Sequence, residues 1–437
     1  MNKKILRLAI PNILSNLSVP ILSSVDTAIV GHLDKVSYLG AIAVGSMIFN
    51  FIYWGFGFLR MGTTGLTAQS FGKKDDKEII LVLARALSVA LASAILIFGL
   101  QYFIKELSFY LVKGGPEVER YARQYFDIRI FAAPATLSLY AFHGWFLGMQ
   151  NAKYPLVLTV FVNVLNIGFN LLFIYGYSMN VDGVALGTVC AQYSGLVIAI
   201  FLYFKKYKNF TAALVVNKIL DYGPLRKFFS VNFDIFVRTL TLIFAFSFFT
   251  AVSADLGTNI LAANTILLQL WMILSYGVDG FAFAAESLVG KYIGAKDKIK
   301  LTKTVNYSFY WGLGLGLILS IVYFFFEKQI LYLYTDKIDI INLASVYFLW
   351  TLIAPISNSI CYIWDGVFIG ATATKPMRNS MLISLIIFFL PVYYLTVDSL
   401  GNDALWLAMI TFMLARGVSL TLYAPKYIFN SIKDGKH

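Results

Sequence analysis

Apolar runs of some twenty residues, broken by short polar stretches, recur from one end of the chain to the other. About twenty residues is the length a helix needs to cross the hydrocarbon core of a bilayer. The pattern predicts twelve such helices, near 8–31, 38–68, 78–104, 122–148, 155–176, 183–204, 225–254, 258–290, 303–326, 340–370, 379–397 and 402–424. The fold class is therefore an all-α polytopic membrane protein. MNKKILRLAIPNILSNLS has the basic start of a signal peptide, but no small-residue cleavage site follows. The apolar run continues to Val30, so it reads as a retained first helix.

The pattern also repeats. HGWFLGMQNAK (143–153) aligns with DGVFIGATATK (365–375) at an offset of 222, matching two glycines, an aromatic and a lysine. At the same offset FGKKD (71–75) falls on IGAKD (293–297), and one residue away AAP (132–134) falls on IAP (353–355). Six helices return a chain to its starting side, so the two copies are parallel. The expected organisation is an N-terminal lobe over 1–204, a basic linker over 205–224 and a C-terminal lobe over 225–437. Parallel repeats of this kind are built around a shared substrate cavity, which points to a transporter.

Composition sharpens the class. Of 437 residues, 59% are hydrophobic and only 13% charged, against about 25% charged in soluble domains. The net charge of +12 comes from Lys and Arg gathered in alternate short loops, the positive-inside pattern, and not from a nucleic-acid-binding stripe. Both termini of this multi-pass membrane protein are thereby expected in the cytoplasm. Cys190 and Cys361 both lie in apolar runs, and His32, His143 and His437 are scattered, so no disulfide framework or metal site is expected. No HExxH, GxSxG or Cys/His cluster supports an enzyme.

The candidate chemistry lies in polar residues at membrane depth. Asp26 sits in the first helix, in SVPILSSVDTAIVG, six residues after Pro20; a carboxylate at such depth costs at least about 2.5 kcal/mol and marks function by default. Asn163, Asn166 and Asn170 recur at i, i+3 and i+7 on one face of helix five. Counted at 1.5 Å per residue, Asp26, Asn170 and Thr188 share a depth about 8–9 Å below the outer surface. Desolvation disfavours the charged form of a carboxylate, which suits Asp26 to load and release a proton. Pro20 removes a backbone hydrogen bond and gives helix one a hinge. In the C-terminal half Asp279, Glu286 and Asp365, together with Asn163 from the N-terminal half, are candidate substrate-cavity residues. Asp234 and Arg238, four apart, read as an intrahelical ion pair. Arg60 and Arg416 read as counter-charges.

VDTAIVG, AQSFGKKD and NIGFNLLFIYG in the first half resemble segments of the multidrug and toxic compound extrusion (MATE) family, in its DinF-like branch. So do NFDIFVRTL, DGFAFAAE, DGVFIGAT…MRNSM and GNDALWLA in the second half. The resemblance spans essentially the whole chain. It implies an antiporter that expels amphipathic, often cationic, small organic compounds while protons or sodium ions move inward, with no cofactor, working as a monomer in the bilayer. The family's helix-one carboxylate falls on Asp26, and its N-lobe polar cluster on Asn166, Asn170 and Thr188. Where some relatives carry aspartate this chain has Asn170, which favours a proton over sodium. A C-lobe cation site of another branch has its aspartate at Asp365, but its glutamate position falls near Leu242. The alternatives are a sodium-coupled antiporter and a lipid-linked saccharide flippase.

Overall fold

The computed structural model describes residues 1–31, 35–112 and 114–432; the side chains at 21, 23, 24, 26, 27 and 30 lie outside the description. The described residues are helical throughout their ordered elements, with no strand among them. They divide into two compact units, one made of Leu14–Phe229 and the other of Met1–Ile13 with Ser230–His437.

The first unit holds most of α1 (Asn2–Gly31), then α2 (Val36–Gly55), α3 (Phe58–Lys73), α4 (Asp76–Gly99), α5 (Gln101–Leu111), α6 (Pro116–Arg129), α7 (Ala133–Gly148), α8 (Lys153–Leu171) and α9 (Val181–Tyr207). The second holds most of α10 (Tyr222–Asp255), then α11 (Thr258–Gly294), α12 (Lys298–Tyr334), α13 (Ile338–Gly370), α14 (Thr374–Ile383), α15 (Leu390–Leu400) and α16 (Asn402–Ala424). Eleven helical spans among the described residues are long and apolar enough to cross a membrane. With α1, thirty residues long, they make the twelve expected helices. The helix expected over 78–104 is divided at Leu100, where α4 ends and α5 begins. The helix expected from 122 begins at Pro116, because proline is well placed in a first helical turn and the polar PEVERYARQYF extends the helix beyond the apolar run. α12 bends at Phe326 (φ −115°, ψ 20°), the expected end of its apolar run, and then continues to Tyr334.

The repeat is visible in backbone detail. Lys74 and Lys296, 222 apart, both adopt left-handed φ (59° and 54°), as do Gln150 and Thr372 (61° and 53°). Asp75 caps α4 by accepting from the Glu78 amide at 3.0 Å, and Asp297 caps α12 by accepting from the Lys300 amide at 3.0 Å. Gly144 lies against the Arg60 carbonyl, and Gly366 against the Ala282 carbonyl. A side chain at either glycine would run into backbone, so α7 meets α3 as closely as α13 meets α11. Such small-residue contacts are how helices approach in a bilayer, where the hydrophobic effect does not drive them together.

In the second unit α11 packs along α12 and α13. The start of α1 belongs here: Gly280 of α11 closes on the Ala9 carbonyl and Ile13, and Lys4 donates to the Tyr292 hydroxyl at 3.2 Å.

Candidate functional site

In the first unit the polar faces of α1, α8 and α9 meet. Ser15 Oγ donates to Thr159 Oγ1 at 2.9 Å, and Asn163 Nδ2 donates to Ser18 Oγ at 3.2 Å. One turn on, Asn166 Nδ2 donates to Thr188 Oγ1 at 3.0 Å, and Asn170 Nδ2 donates to Asn166 Oδ1 at 3.2 Å. Thr188 in turn donates to the Val184 carbonyl at 3.0 Å. Asn166 and Asn170 are buried, while Asn163 and Thr188 are half-buried. The structure thus brings together Asn166, Asn170 and Thr188, and ties Asn163 to α1.

Local sequence explains the closeness. Gly183, Gly187 and Gly195 form a stripe on α9; a Cβ at Gly187 would meet the Asn170 side chain, and one at Gly195 would meet Val162. Directly after Asn170, residues Leu172–Gly176 form a π-turn, a local widening that recurs at functional positions in helices. Pro20 is exposed within α1, and the Asp26 side chain, the centre of the sequence-based site, lies outside the described residues.

The second unit holds a different cluster. Asp365 Oδ2 accepts from Arg416 Nη2 at 2.6 Å and also from Arg238 Nη2, and all three side chains are buried. Asp234 accepts from Arg378 Nη1 at 2.7 Å and from Thr374 Oγ1 at 2.9 Å. The expected Asp234–Arg238 pair is therefore corrected. Both residues are buried, and each is drawn to a charge on a neighbouring helix that also requires neutralising, Arg378 on α14 and Asp365 on α13. Arg416 is the counter-charge expected of it. Asp279 is half-buried and Glu286 is buried, two turns apart on α11.

Sequence reasoning missed a buried amide pair. Asn264 Nδ2 donates to Asn402 Oδ1 at 2.7 Å, and Asn402 Nδ2 returns a bond to Asn264 Oδ1 at 3.0 Å. Trp406 Nε1 and Ser253 Oγ complete the set at 2.9 and 2.8 Å. The signal available was Asn264 inside the apolar run of α11, whereas Asn402 opens α16 beside Asp403 and reads as a loop residue. Sequence reasoning also missed Arg85, a buried arginine in the middle of the apolar α4.

Two duplicated helical units, each with buried polar groups inside membrane-spanning helices, define the architecture of a polytopic transporter. The chain belongs to the MATE family: the MatE family model matches it twice, over residues 11–172 and 235–395. It is similar to DNA damage-inducible protein F of Escherichia coli (strain K12), at 39% identity over 419 residues, covering 96% of this chain and 91% of the relative. It is also similar to a probable multidrug resistance protein NorM of Photorhabdus laumondii subsp. laumondii, at 25% identity over 350 residues, covering 78% and 76%. Its fold matches a crystal structure of MATE in the straight conformation with a TM-score of 0.86 at 19% identity, covering 98% of this chain and 96% of that one.

Proposed function

We propose that this MATE transporter exports amphipathic, cationic organic compounds in exchange for protons, by alternating access, with both termini in the cytoplasm of a bacterial inner membrane. The observation that carries the proton reading is the register between α1 and α8. Ser15 bonds to Thr159 and Ser18 to Asn163, offsets of 144 and 145 along two helices running the same way. Carried two turns further, that register sets position 26 level with residues 170–171. A carboxylate-bearing residue then shares its level with Asn170, which donates to the neutral Asn166, itself bonded to Thr188. Asn170 adds no second negative charge beside a carboxylate at position 26, and a single carboxylate is neutralised by one proton more readily than it holds a sodium ion tightly.

The second unit supports the same choice. Asp365, a buried carboxylate of α13, has one oxygen engaged by two guanidinium groups, so the positive charge a cation would bring there is already supplied by the protein. The coupling step is protonation of Asp26 from outside, a changed set of bonds around Asn166 and Asn170, bending near Pro20, and release of the proton inward. An ion drives such a cycle only through unequal affinity for the two conformations.

The test is efflux from proteoliposomes under separately imposed proton and sodium gradients, with cationic dyes, anionic amphiphiles and lipid-linked sugars as substrates. Wild type should export cationic dyes under the proton gradient alone, and Asp26→Asn should insert normally and fail to do so. Undiminished proton-driven efflux by that variant, or efflux by wild type under sodium alone, overturns the proposal.

A further inference from the structure

At one end of the first unit, a cavity of about 270 Å³ is enclosed by α3, α4 and the start of α10. That is below the roughly 300–1,000 Å³ of pockets for drug-sized ligands, and the lining is wrong for an apolar cation. Lys73, Arg85 and Lys227 face it, with one acidic residue, Glu78, so the lining carries a net charge of +2 (three basic less one acidic). Gln69 and Ser70, both buried, supply polar side chains to its wall.

The charges do not cancel locally. Arg85, with only 1% of its side chain exposed, is fully committed. Its Nη1 donates to Glu78 Oε1 at 2.7 Å, while Nε and Nη2 donate to the carbonyls of Ile219 and Lys218 at 3.0 and 2.9 Å. Glu78 is thereby neutralised, and the segment leading into α10 is pinned against α4. Lys73 and Lys227 are left. Neither makes an ion pair among the described residues, and they stand on different helices with the cavity between them. Two ammonium groups at one small hollow, with Gln69 and Ser70 in its wall, are a receptor for a compact anion with several acceptor oxygens. The position adds a second constraint. Lys73 is the last residue of its membrane span, Glu78 is the third residue of the next span, and Lys227 is the sixth of another. The hollow therefore opens at the depth of a bilayer's headgroups, where phosphate is abundant.

We propose that this cavity binds a phosphate group, presented by the headgroup of an anionic phospholipid, and that the bound phosphate bridges Lys73 of α3 to Lys227 of α10. The site is separate from the Asn166–Asn170–Thr188 cluster and does not depend on which ion drives transport.

The test uses the full chain in zwitterionic lipid nanodiscs, with phosphatidylglycerol added to the disc or inorganic phosphate added to the solution. Retained lipid or phosphate is counted by native mass spectrometry after mild delipidation. Each interfacial lysine is worth about 1 kcal/mol toward anionic lipid, about fivefold in affinity. Lys73→Gln with Lys227→Gln should therefore lower phosphatidylglycerol retention by about tenfold or more, and Lys73→Arg with Lys227→Arg should keep it. Lys74→Gln with Lys77→Gln, which removes the same charge from the same turn outside the lining, should leave retention unchanged. Retention of inorganic phosphate without retention of the lipid would keep the site and assign it to free phosphate. Equal loss in the Lys74/Lys77 control, or no retention of either ligand by wild type, overturns the proposal.

Discussion

Replacing Asp365 by asparagine isolates the energetics of the second unit's charge cluster. The substitution keeps shape and removes the one carboxylate that faces both Arg238 and Arg416. Two buried guanidinium groups would then share an amide oxygen in place of an anion. Removing one partner from a buried ion pair costs about 3–5 kcal/mol, most of it the desolvation left uncompensated on the survivor. For a unit of about two hundred residues each kcal/mol moves the melting point by about 2–4 °C, so Asp365→Asn should melt about 6–20 °C below wild type. Arg416→Met should cost less, because Asp365 keeps Arg238. The triple change of Asp365, Arg238 and Arg416 to methionine should recover most of the loss, since a whole buried ionic set can be exchanged for apolar packing at little cost. Cys361, one turn before Asp365 and fully buried, provides the probe. In a Cys190→Ala background, labelling by a thiol-reactive dye during a thermal ramp reports opening of this unit. If Asp365→Asn melts within about 2 °C of wild type, or the triple variant is worse than the single, the pairing of Asp365 with Arg238 and Arg416 does not stabilise this unit.

Gly187→Val should drive a side chain into Asn170, costing about 1–3 kcal/mol in stability and lowering transport; Gly187→Ala should be milder in both assays. Thr372, β-branched at φ 53°, occupies a conformation costing about 1–2 kcal/mol for an ordinary residue, so Thr372→Gly should raise the thermal midpoint by a few degrees despite glycine's larger chain entropy. Asp297 accepts from the Lys300 amide at 3.0 Å and its ammonium at 2.6 Å, and these bonds hold its carboxyl below the ordinary 3.8. Its stabilising effect is present above that ordinary value and is lost as pH falls through the lowered one. Asp297→Ala should therefore cost about 0.5–1 kcal/mol at neutral pH, a gap that narrows in melts taken at progressively more acid pH below that ordinary value.

The number of helices and the repeat were legible because each rests on local chemistry. Apolar length selects membrane spans, and the residues at 71–75 and 293–297 make the same left-handed turn and the same aspartate cap. Asn166, Asn170 and Thr188 were legible because the first two lie one turn apart and the third sits on the following helix at the matching depth. The pairing of charges was not. Asp234 lies 144 residues from Arg378, and Arg238 lies 127 from Asp365, and no spacing rule links residues so far apart. Sequence proximity favoured Asp234 with Arg238, and helix packing overrode it. Asn264 and Asn402, 138 apart, were hidden for the same reason. Arg85 was hidden because its partners include two backbone carbonyls, which carry no residue identity.

The duplication also separates what each copy conserves in shape from what it changes in chemistry. Gly144 with Arg60 and Gly366 with Ala282 are the same close contact at an offset of 222, as are Gly148 with Thr64 and Gly370 with Glu286. Around these shared contacts the side chains differ. His143 stands where the other copy has Asp365, Thr64 where it has Glu286, and Arg60 where it has Ala282. The first copy thus places a base and a cation where the second places two carboxylates and no cation. The second copy then recruits Arg238 and Arg416 to balance Asp365, whereas the first keeps a neutral chain of amides and hydroxyls along α8. A backbone that tolerates both sets at matched positions constrains packing and leaves charge free to diverge. Ion coupling can therefore reside in one copy while the other uses its charges for cohesion.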